Sequence, residues 1–359
     1  MKESLTSRER VLRAFNHVKA DRVPIDYMAN PGIDQRLKEH YGLSQEDGEG
    51  LLLALGVDFR GIGVPYKGPR LHEDIPGRHV DPLWGIHTRW VEHPAGGYWD
   101  YCDFPLRYAD EEQVSKWPMP DPDDFDYSGV LDSCRRYDSY ALYINCYGDY
   151  INGNGFFRNM ETTLIDLVTD DAAGSLLAKR RFKIQAAVTE RILDRAKGRI
   201  DFVWLGEDLG TQIGPIISVK VFRKHILPQY KILVDLAMTY QAKTMIHTCG
   251  SSSWSYEDFI SLGVNAVDTL QPECKNMAPQ YLVEHFGGRL AFHGCISTAG
   301  QLAYGTPAEV RSTVRETLDI MMPDCSYMLS PTHMIQDNTP VENAVMMYDT
   351  AKELGWYER

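Results

Sequence analysis

Short apolar segments alternate with amphipathic segments along most of this 359-residue chain. Eight of the apolar runs are predicted to be strands, because runs of this length bounded by turn residues are typical of buried β-structure. The predicted strands span residues 23–28, 57–64, 140–146, 200–206, 243–248, 265–270, 289–294 and 326–330. Helices are predicted between them. One begins at Thr306-Pro-Ala-Glu309, where a threonine N-cap precedes a proline and a glutamate.

This alternation predicts a parallel sheet, and eight strands in a chain of this length predict a (β/α)8 TIM barrel. The alternative is a doubly wound open sheet. Against it, no early strand is followed by a Gly-x-Gly-x-x-Gly segment, the dinucleotide-binding fingerprint of many such sheets. We therefore predict an α/β protein in which residues 1–359 form a single barrel domain.

One segment, residues 65–138, departs from this regularity. The pieces Trp84-Gly-Ile-His-Thr-Arg-Trp90 and Gly97-Tyr-Trp-Asp-Tyr101 alternate in the manner of a β-ribbon. Long insertions in a regular fold often carry function, so we expect an aromatic-rich insertion after the second strand that overhangs the carboxyl ends of the strands. The alternative is that its aromatic side chains form a small satellite core.

Composition narrows the class of protein. A net charge of −13 argues against non-specific binding to nucleic acid, which needs a basic surface. The first ten residues contain no apolar run, and no run approaches the roughly 18 apolar residues of a membrane span. The 7 cysteines are odd in number and scattered, as expected for thiols in a reducing compartment. We expect a cytoplasmic protein with no membrane partner.

Chemically versatile side chains follow several of the predicted strands. In a (β/α)8 barrel the carboxyl ends of the strands meet at one mouth, where the active site lies. The residues at these ends are Asp26, Asn30, Asn145, Cys146, Glu207, Asp208, His247, Cys249, Gln271, His293, Cys295 and His333. Because Glu207 and Asp208 are adjacent, we expect at most one to face the site, as a base, a hydrogen-bond acceptor or an extra ligand. The other would cap the following turn.

His247 and Cys249 are the strongest metal candidates. Residues i and i+2 of an extended strand point to the same side, so the imidazole and the thiolate could reach one ion. A borderline-soft ion such as Zn²⁺ is bound well by this pair. Catalytic zinc usually has three protein ligands, and a residue from the seventh or eighth strand could supply the third. The alternative is that His247 caps its strand and Cys249 is a small buried hydrophobe.

A set of motifs spread over nearly the whole chain resembles the uroporphyrinogen decarboxylase superfamily, whose fold is a (β/α)8 barrel. The motifs are Thr6-Ser-Arg-Glu-Arg-Val-Leu12, Asp21-Arg-Val-Pro-Ile25, Gly206-Glu-Asp-Leu-Gly-Thr-Gln212, His247-Thr-Cys-Gly250 and Thr339-Pro-Val-Glu-Asn343. True uroporphyrinogen decarboxylases carry an Arg-Gln-Ala-Gly-Arg segment after the first strand, and its arginines bind substrate carboxylates. The corresponding segment here, Tyr27-Met-Ala-Asn-Pro-Gly32, has no arginine.

The resemblance therefore favours the cobalamin-dependent methyltransferase branch, whose zinc site has the pattern His-x-Cys plus a distant cysteine. His247 and Cys249 match this pattern, and His333 stands where the family has its second cysteine. The resemblance thus implies a zinc site of His247, Cys249 and His333, with Cys295 as an alternative ligand. A His2Cys site is less negative than a HisCys2 site, which makes zinc a stronger Lewis acid and favours an ether substrate over thiol chemistry.

The function that the resemblance implies is a zinc-dependent methyltransferase. It would move a methyl group between a small methylated compound, such as a methoxylated aromatic compound in an O-demethylation, and a corrinoid protein. The chain has no Asp-x-His-x-x-Gly corrinoid-binding segment, so the cobalamin is expected on a separate partner. Glu207 or Asp208 would position a substrate group. Related barrels often form homodimers. The alternative function is a metal-free decarboxylase or lyase acting on a carboxylated substrate.

Overall fold

A computed structural model of the chain describes residues 3–93, 96–146 and 148–357. Residues 1–2, 147 and 358–359 of the predicted domain, and residues 94–95 of the predicted insertion, lie outside the described part. The described strands are β1 Phe59–Gly61, β2 His79–Val80, β3 His87–His93, β4 Gly96–Tyr101, β5 Ala141–Asn145, β6 Phe202–Gly206, β7 Lys243–His247, β8 Ala266–Thr269, β9 Ala291–Ile296 and β10 Tyr327–Pro331.

The described α-helices are distributed along the chain from Ser7 to Leu354. They are α1 Ser7–Phe15, α2 Pro31–His40, α3 Gly48–Leu55, α4 Glu111–Lys116, α5 Val130–Arg136, α6 Ile151–Arg158, α7 Met160–Thr169, α8 Ala172–Ala196, α9 Val219–His225, α10 Leu227–Thr239, α11 Tyr256–Leu262, α12 Pro279–Phe286, α13 Gln301–Tyr304, α14 Pro307–Met321 and α15 Val341–Leu354. None of these helices is both long and apolar enough to cross a membrane.

Seven of the strands form one parallel sheet, in the order β1-β5-β6-β7-β8-β9-β10. Strands β6 and β9 are buried along their whole length. Parallel strands read as continuous apolar runs when side chains cover both faces of the sheet, which is why the runs in the sequence predicted them. The α/β class is confirmed, and the curled sheet is consistent with a TIM-like barrel.

The segment predicted as the first strand is not a regular strand. Ile25 makes an isolated parallel bridge to Leu329 of β10. The carbonyl of Ile25 also accepts a hydrogen bond of 2.9 Å from the N–H of Asp58, next to β1. Pro24 has no N–H, so a continuous ladder cannot run through it. This short extended segment therefore contacts both edges of the curled sheet through isolated hydrogen bonds.

A buried ion cluster fixes α1 and this segment against β1. The fully buried Asp58 accepts hydrogen bonds from Arg10 Nη1 at 2.6 Å and from Arg22 Nη1 at 2.7 Å. Its Oδ2 atom also accepts from the N–H of Ile25 at 2.8 Å. Arg10 makes a second ion pair with Asp21 at 2.7 Å. Because each charge has a hydrogen-bonded counter-charge, the burial of these groups is tolerated.

A second sheet lies between β1 and β5 in the chain, where β2, β3 and β4 pair antiparallel. The β-ribbon predicted for this segment is present, with Trp90 of β3 opposite Trp99 of β4. A small separate core is built from the buried residues Leu106, Val114, Phe157, Ala173 and Leu177. Trp84 and Trp117 pack against it, so part of the aromatic content serves a satellite core. The treatment of residues 65–138 as an insertion stays a prediction.

Candidate metal centre

The end of β7 and the segment after β10 bring three candidate ligands together. His247 ends β7, and its Nε2 atom lies 3.4 Å from Sγ of Cys249. The ring centroid of His333 lies 5.7 Å from that of His247. One ligand atom from each of the three residues lies within 4.8 Å of the others. This is wider than the roughly 3–4 Å expected around a tetrahedral zinc ion, and small side-chain movements would close the difference.

Two glycines hold the loop that carries Cys249. Gly250 has φ +74°, and a Cβ there would lie 2.2 Å from the carbonyl oxygen of Gly210. A Cβ on Gly210 would in turn lie 2.4 Å from the nitrogen of Ser251. The two loops are joined by the hydrogen bonds from Gly210 N–H to Cys249 O at 3.2 Å and from Ser251 N–H to Thr211 O at 2.7 Å. This close backbone approach fixes where the thiol stands.

A row of buried side chains continues from His247 into the barrel. Asp268 of β8 is in register with His247 of β7 on one side and with His293 of β9 on the other. The Asp268 carboxylate lies 2.6 Å from Nδ1 of His247 and 2.5 Å from Nδ1 of His293. Nε2 of His293 lies 3.1 Å from Oδ2 of Asp26. Asp26 and His293, which the sequence placed at the mouth, therefore lie beneath it and outside the ligand group.

Opposing effects set the protonation of this row. Burial lowers the pKa of His247, but its hydrogen bonds with Asp268 and Cys249 outweigh burial and raise the pKa well above its usual range. Burial raises the pKa of Asp268, yet the charge on His293 and the hydrogen bond from His247 hold it well below its usual range. For His293, burial is outweighed by the Asp268 charge, and the pKa rises to about 9. The row is an alternation of opposite charges.

The protonation of the other two candidate ligands, His333 and Cys249, differs from that of His247. Burial and the charge of His247 lower the pKa of His333, so its ring is neutral near pH 7. Burial raises the pKa of Cys249, although the neighbouring His247 opposes this change. A metal ion would bind the neutral imidazole of His333 directly and would displace the proton of the Cys249 thiol.

The side chain of Glu207 caps the amino terminus of α6. It is 1% exposed, and its carboxylate accepts hydrogen bonds from the N–H of Tyr150 at 2.6 Å and of Ile151 at 3.0 Å, where α6 begins. Burial and the nearby Asp149 raise its pKa well above the usual range, although the backbone hydrogen bonds oppose this change. Glu207 is therefore the carboxylate that caps a helix, at the edge of the mouth.

Asp208 lies beside the ligand group. Its Oδ1 accepts a hydrogen bond of 3.0 Å from the N–H of Cys249, and its Oδ2 accepts one of 2.8 Å from Asn152 Nδ2. Oδ1 is also 3.9 Å from Nε2 of His247. Burial raises the pKa of Asp208, but the charge of His247 and these hydrogen bonds lower it overall, so the group is ionised. Of the two adjacent carboxylates, Asp208 is therefore the one that lies beside the candidate metal ligands His247 and Cys249.

Cys295, the alternative metal ligand, does not join the ligand group among the described residues. Gly294 and Cys295 have φ values of +122° and +69°, so β9 turns at its end and the alternation of side chains after His293 is lost. The thiol is 1% exposed, and burial raises its pKa. Burial raises the pKa of the Tyr327 phenol, and the neighbouring Cys295 adds to this change. Of the two alternatives, His333 is the one that lies beside His247 and Cys249.

Two cavities flank the ligand group, and the rings of His247 and His333 line both. The larger has a volume of about 410 Å³ and the smaller of about 220 Å³. The larger is also lined by the charged residues Asp149, Arg181, Glu207 and Asp208. The smaller is also lined by Met28, Tyr143, Asn145, Trp204 and Met334, none of which carries a charge at neutral pH. The candidate metal site thus lies between a larger chamber that contains several charged side chains and a smaller one whose remaining lining is uncharged.

The aromatic ribbon contributes to the larger cavity only at its base. Trp84 and Tyr101 line that cavity, and Tyr101 stacks on Phe156 with ring centroids 4.2 Å apart. Three other aromatic side chains of the ribbon are about half exposed and lie outside the lining: Trp90, Tyr98 and Trp99, at 49%, 50% and 52%. Of the aromatic run, Trp84 and Tyr101 thus reach this cavity, and the overhang of residues 65–138 above the carboxyl ends of the strands stays a prediction.

Three residues near the ligand group were not among those predicted from the sequence: Asn152, Asp268 and Thr269. The signal for Asp268 is an ionisable side chain within the otherwise uncharged strand β8, where burial of a charge requires a partner. Thr269 approaches Nδ1 of His247 to 2.9 Å through its hydroxyl. No local pattern marks Asn152 or Thr269, because both contacts come from elements distant in sequence.

Comparison with known proteins agrees with the motifs. Residues 202–354 match the family model described as uroporphyrinogen decarboxylase (URO-D), a range that contains all three candidate ligands. Over 98% of its length the chain is similar in structure to 99% of a methyltransferase from Methanosarcina mazei, with a TM-score of 0.61 and 15% sequence identity. At that identity the likeness supports a shared fold. No curated protein matches the chain.

Proposed function

We propose that the protein is a zinc-dependent methyltransferase, starting from the match of residues 202–354 to the uroporphyrinogen decarboxylase family model. It moves a methyl group between a small methylated compound and a corrinoid carried by a separate protein. The observation that carries the proposal is the convergence of His247, Cys249 and His333 within 4.8 Å. The likeness in fold to a methyltransferase supports this class of reaction.

The donor set fits zinc. Two imidazoles and one thiolate are ligands that zinc prefers, and three protein ligands leave a fourth position for water or substrate. His247 already has its Nδ1 atom engaged by Asp268 at 2.6 Å, which leaves Nε2 to face Cys249. When bound there, zinc supplies Lewis acidity toward the heteroatom that carries the methyl group.

The residues around the ligand group orient the substrate. The methyl donor would lie in the larger cavity, whose lining combines Asp208 with the aromatic rings of Trp84 and Tyr101 and so suits a flat compound such as a methoxylated aromatic ring. The ionised Asp208 is placed to accept a hydrogen bond from a substrate hydroxyl and to hold it against the ligand group. In such a transfer the methyl carbon would exchange its bond to oxygen for a bond to the Co(I) of the partner's corrinoid, which would supply the electron pair. The phenolate oxygen keeps the pair of the broken bond.

A decarboxylase acting on a polycarboxylate is less compatible with the larger cavity. Its lining includes three carboxyl groups and a single arginine, Arg181. The guanidinium of Arg181 already lies 3.3 Å from the carboxylate of Asp149 and 3.3 Å from the amide oxygen of Asn154. A substrate with several carboxylates would meet the carboxylates of Asp149 and Asp208 here, and the cationic groups of the lining, Arg181 and His247, already have carboxylate partners.

Methyl transfer can be tested with free cob(I)alamin as the acceptor and 2-methoxyphenol as the methyl donor. The zinc-loaded protein should convert cob(I)alamin to methylcob(III)alamin, which is followed by absorbance, and Cys249→Ser should abolish the conversion. Cys325→Ser is the matched control, because that thiol is only partly buried and lies outside the ligand group. The proposal is wrong if the wild type transfers no methyl group from ethers, thioethers or methylamines, or if Cys249→Ser retains the full rate.

A further inference from the structure

The carboxylate of Asp268 is a buried partner of His247 that the proposed reaction does not consume. Its Oδ2 atom lies 2.6 Å from Nδ1 of His247, and the residue is 0% exposed. The two residues are in register on neighbouring parallel strands, so the contact is built into the sheet. An ionised carboxylate only accepts hydrogen bonds, so Nδ1 of His247 must carry the proton in this contact. A metal ion would then bind this ring through Nε2 and displace any proton held there.

Both oxygens of Asp268 are engaged, which prevents the carboxylate from turning. Oδ1 lies 2.5 Å from Nδ1 of His293, while Oδ2 faces His247. His293 is in turn held by Asp26, whose Oδ2 lies 3.1 Å from Nε2. Rings of Phe59 and Trp204 pack edge-on against His293, with centroids 5.7 Å and 5.3 Å away. The chain Asp26–His293–Asp268 therefore ends on His247 as a rigid support.

The backbone next to Asp268 is shaped to hold the same ring. Thr269 has φ +87°, a left-handed conformation that a β-branched residue rarely adopts. In this conformation its hydroxyl lies 2.9 Å from Nδ1 of His247. Gly294 permits it, because a Cβ at Gly294 would lie 2.4 Å from the carbonyl oxygen of Thr269. Strained backbone angles of this kind cluster at functional sites, and here the strain accompanies the contact between Thr269 and His247.

We propose that Asp268 is the positioning residue of the metal centre. It fixes the proton of His247 on Nδ1 and aims Nε2 at Cys249 and His333, and the pair of His293 and Asp26 holds Asp268 in place. Carboxylates of this kind behind a ligating histidine raise the metal affinity and fix the ring. The inference rests on the proposed zinc site and does not depend on methyl transfer.

Zinc affinity provides the first test. Asp268→Asn keeps the shape of the side chain but can present an amide N–H to Nδ1, which moves the histidine proton to Nε2. The dissociation constant for Zn²⁺ alone, measured by competition with a chelator, should rise about 10–100-fold. Asp201→Asn is the matched control: Asp201 is also buried in the barrel, but it pairs with Arg8 at 2.8 Å and accepts from the N–H of Leu142. An unchanged constant for Asp268→Asn, or an equal loss in Asp201→Asn, overturns the proposal.

The proton itself provides a second test that needs no stable variant at position 268. In wild-type protein with ¹⁵N-labelled histidine, assigned by comparison with His247→Gln, His247 should show a low-field proton coupled to Nδ1. This signal is expected with and without zinc. A histidine proton on Nε2 alone would overturn the proposal. A zinc-binding wild type with the Nδ1 proton but no methyl transfer would support Asp268 while refuting the proposed reaction.

Discussion

The imidazole of His247 and the thiol of Cys249 lie 3.4 Å apart where β7 leaves the barrel. Thr248, between them, is fully buried, and its hydroxyl accepts a hydrogen bond of 3.2 Å from the N–H of Leu209. Side chains of an extended chain alternate between two faces, so Thr248 lies on the buried face while His247 and Cys249 share the opposite one. A metal ion can therefore bind both without a change of the local backbone.

The base of the ribbon should matter for substrate binding, and its exposed part should not. Tyr101 lines the larger cavity and stacks on Phe156, whereas Trp99 on the same strand is 52% exposed. We expect Tyr101→Ala to raise the KM for the methyl donor several-fold. The variant loses an aromatic ring whose stacking with an aromatic donor would contribute about 1 kcal/mol to binding. Trp99→Ala is the control and should leave KM unchanged in the same assay. Equal effects of the two substitutions would contradict this placement of the ribbon.

Much of the sheet could be predicted because the strands are continuous apolar runs. The run at residues 243–248 corresponds to β7 at Lys243–His247, and its end indicated where two ligands would lie. The i, i+2 spacing of His247 and Cys249 needs only an extended backbone to bring the two groups together. The position of His333 came from the family motif, since no local pattern distinguishes it.

Contacts that depend on register or on unusual backbone angles could not be predicted. Asp268 contacts His247 because β7 and β8 pair in a register that places the two residues opposite each other. Neither strand's sequence alone predicts that register. Cys295 was considered as an alternative ligand because it follows the seventh predicted strand, but the positive φ values at Gly294 and Cys295 change the direction of the side chains there. Pro24 similarly leaves isolated bridges where a regular first strand was predicted.

The metal-free protein should lose stability as the pH rises above neutrality. The pKa of His293 is raised from its ordinary 6.5 to about 9 by its carboxylate partners. A raised pKa in the folded state stabilises the protein fully below about pH 6.5, and this contribution is lost as the pH rises through about 9. The loss should be about 3 kcal/mol in the free energy of unfolding, measured by urea denaturation between pH 6 and pH 10.

The exposed His285 offers the control for this pH dependence. His285→Gln should leave the decline between pH 6.5 and 9 intact, while His293→Gln should lower stability at every pH and reduce the decline to the part that the raised pKa of His247 contributes. A wild-type protein whose stability stays constant or increases over this range would show that His293 is not held as a cation.

The ion cluster at the amino ends of the strands should be essential for stability. Asp58→Ala leaves the guanidinium groups of Arg10 and Arg22 buried without their shared carboxylate. Breaking a buried ion pair in this way costs about 3–5 kcal/mol, measured as a loss in the free energy of unfolding. Asp132→Ala removes an ion pair whose carboxylate side chain is 80% exposed, and it should change stability by less than about 0.5 kcal/mol. A loss below 1 kcal/mol for Asp58→Ala would contradict the cluster's role.

The coordination of zinc by wild type and Cys249→Ser tests the central claim most directly. X-ray absorption on the zinc-loaded wild type should give one zinc per chain, with one sulfur at about 2.3 Å and nitrogen ligands at about 2.0–2.1 Å. In Cys249→Ser the sulfur contribution should disappear and the zinc affinity should fall together with methyl transfer. A wild type that binds no zinc, or a zinc shell without sulfur, would contradict a metal centre formed by His247, Cys249 and His333.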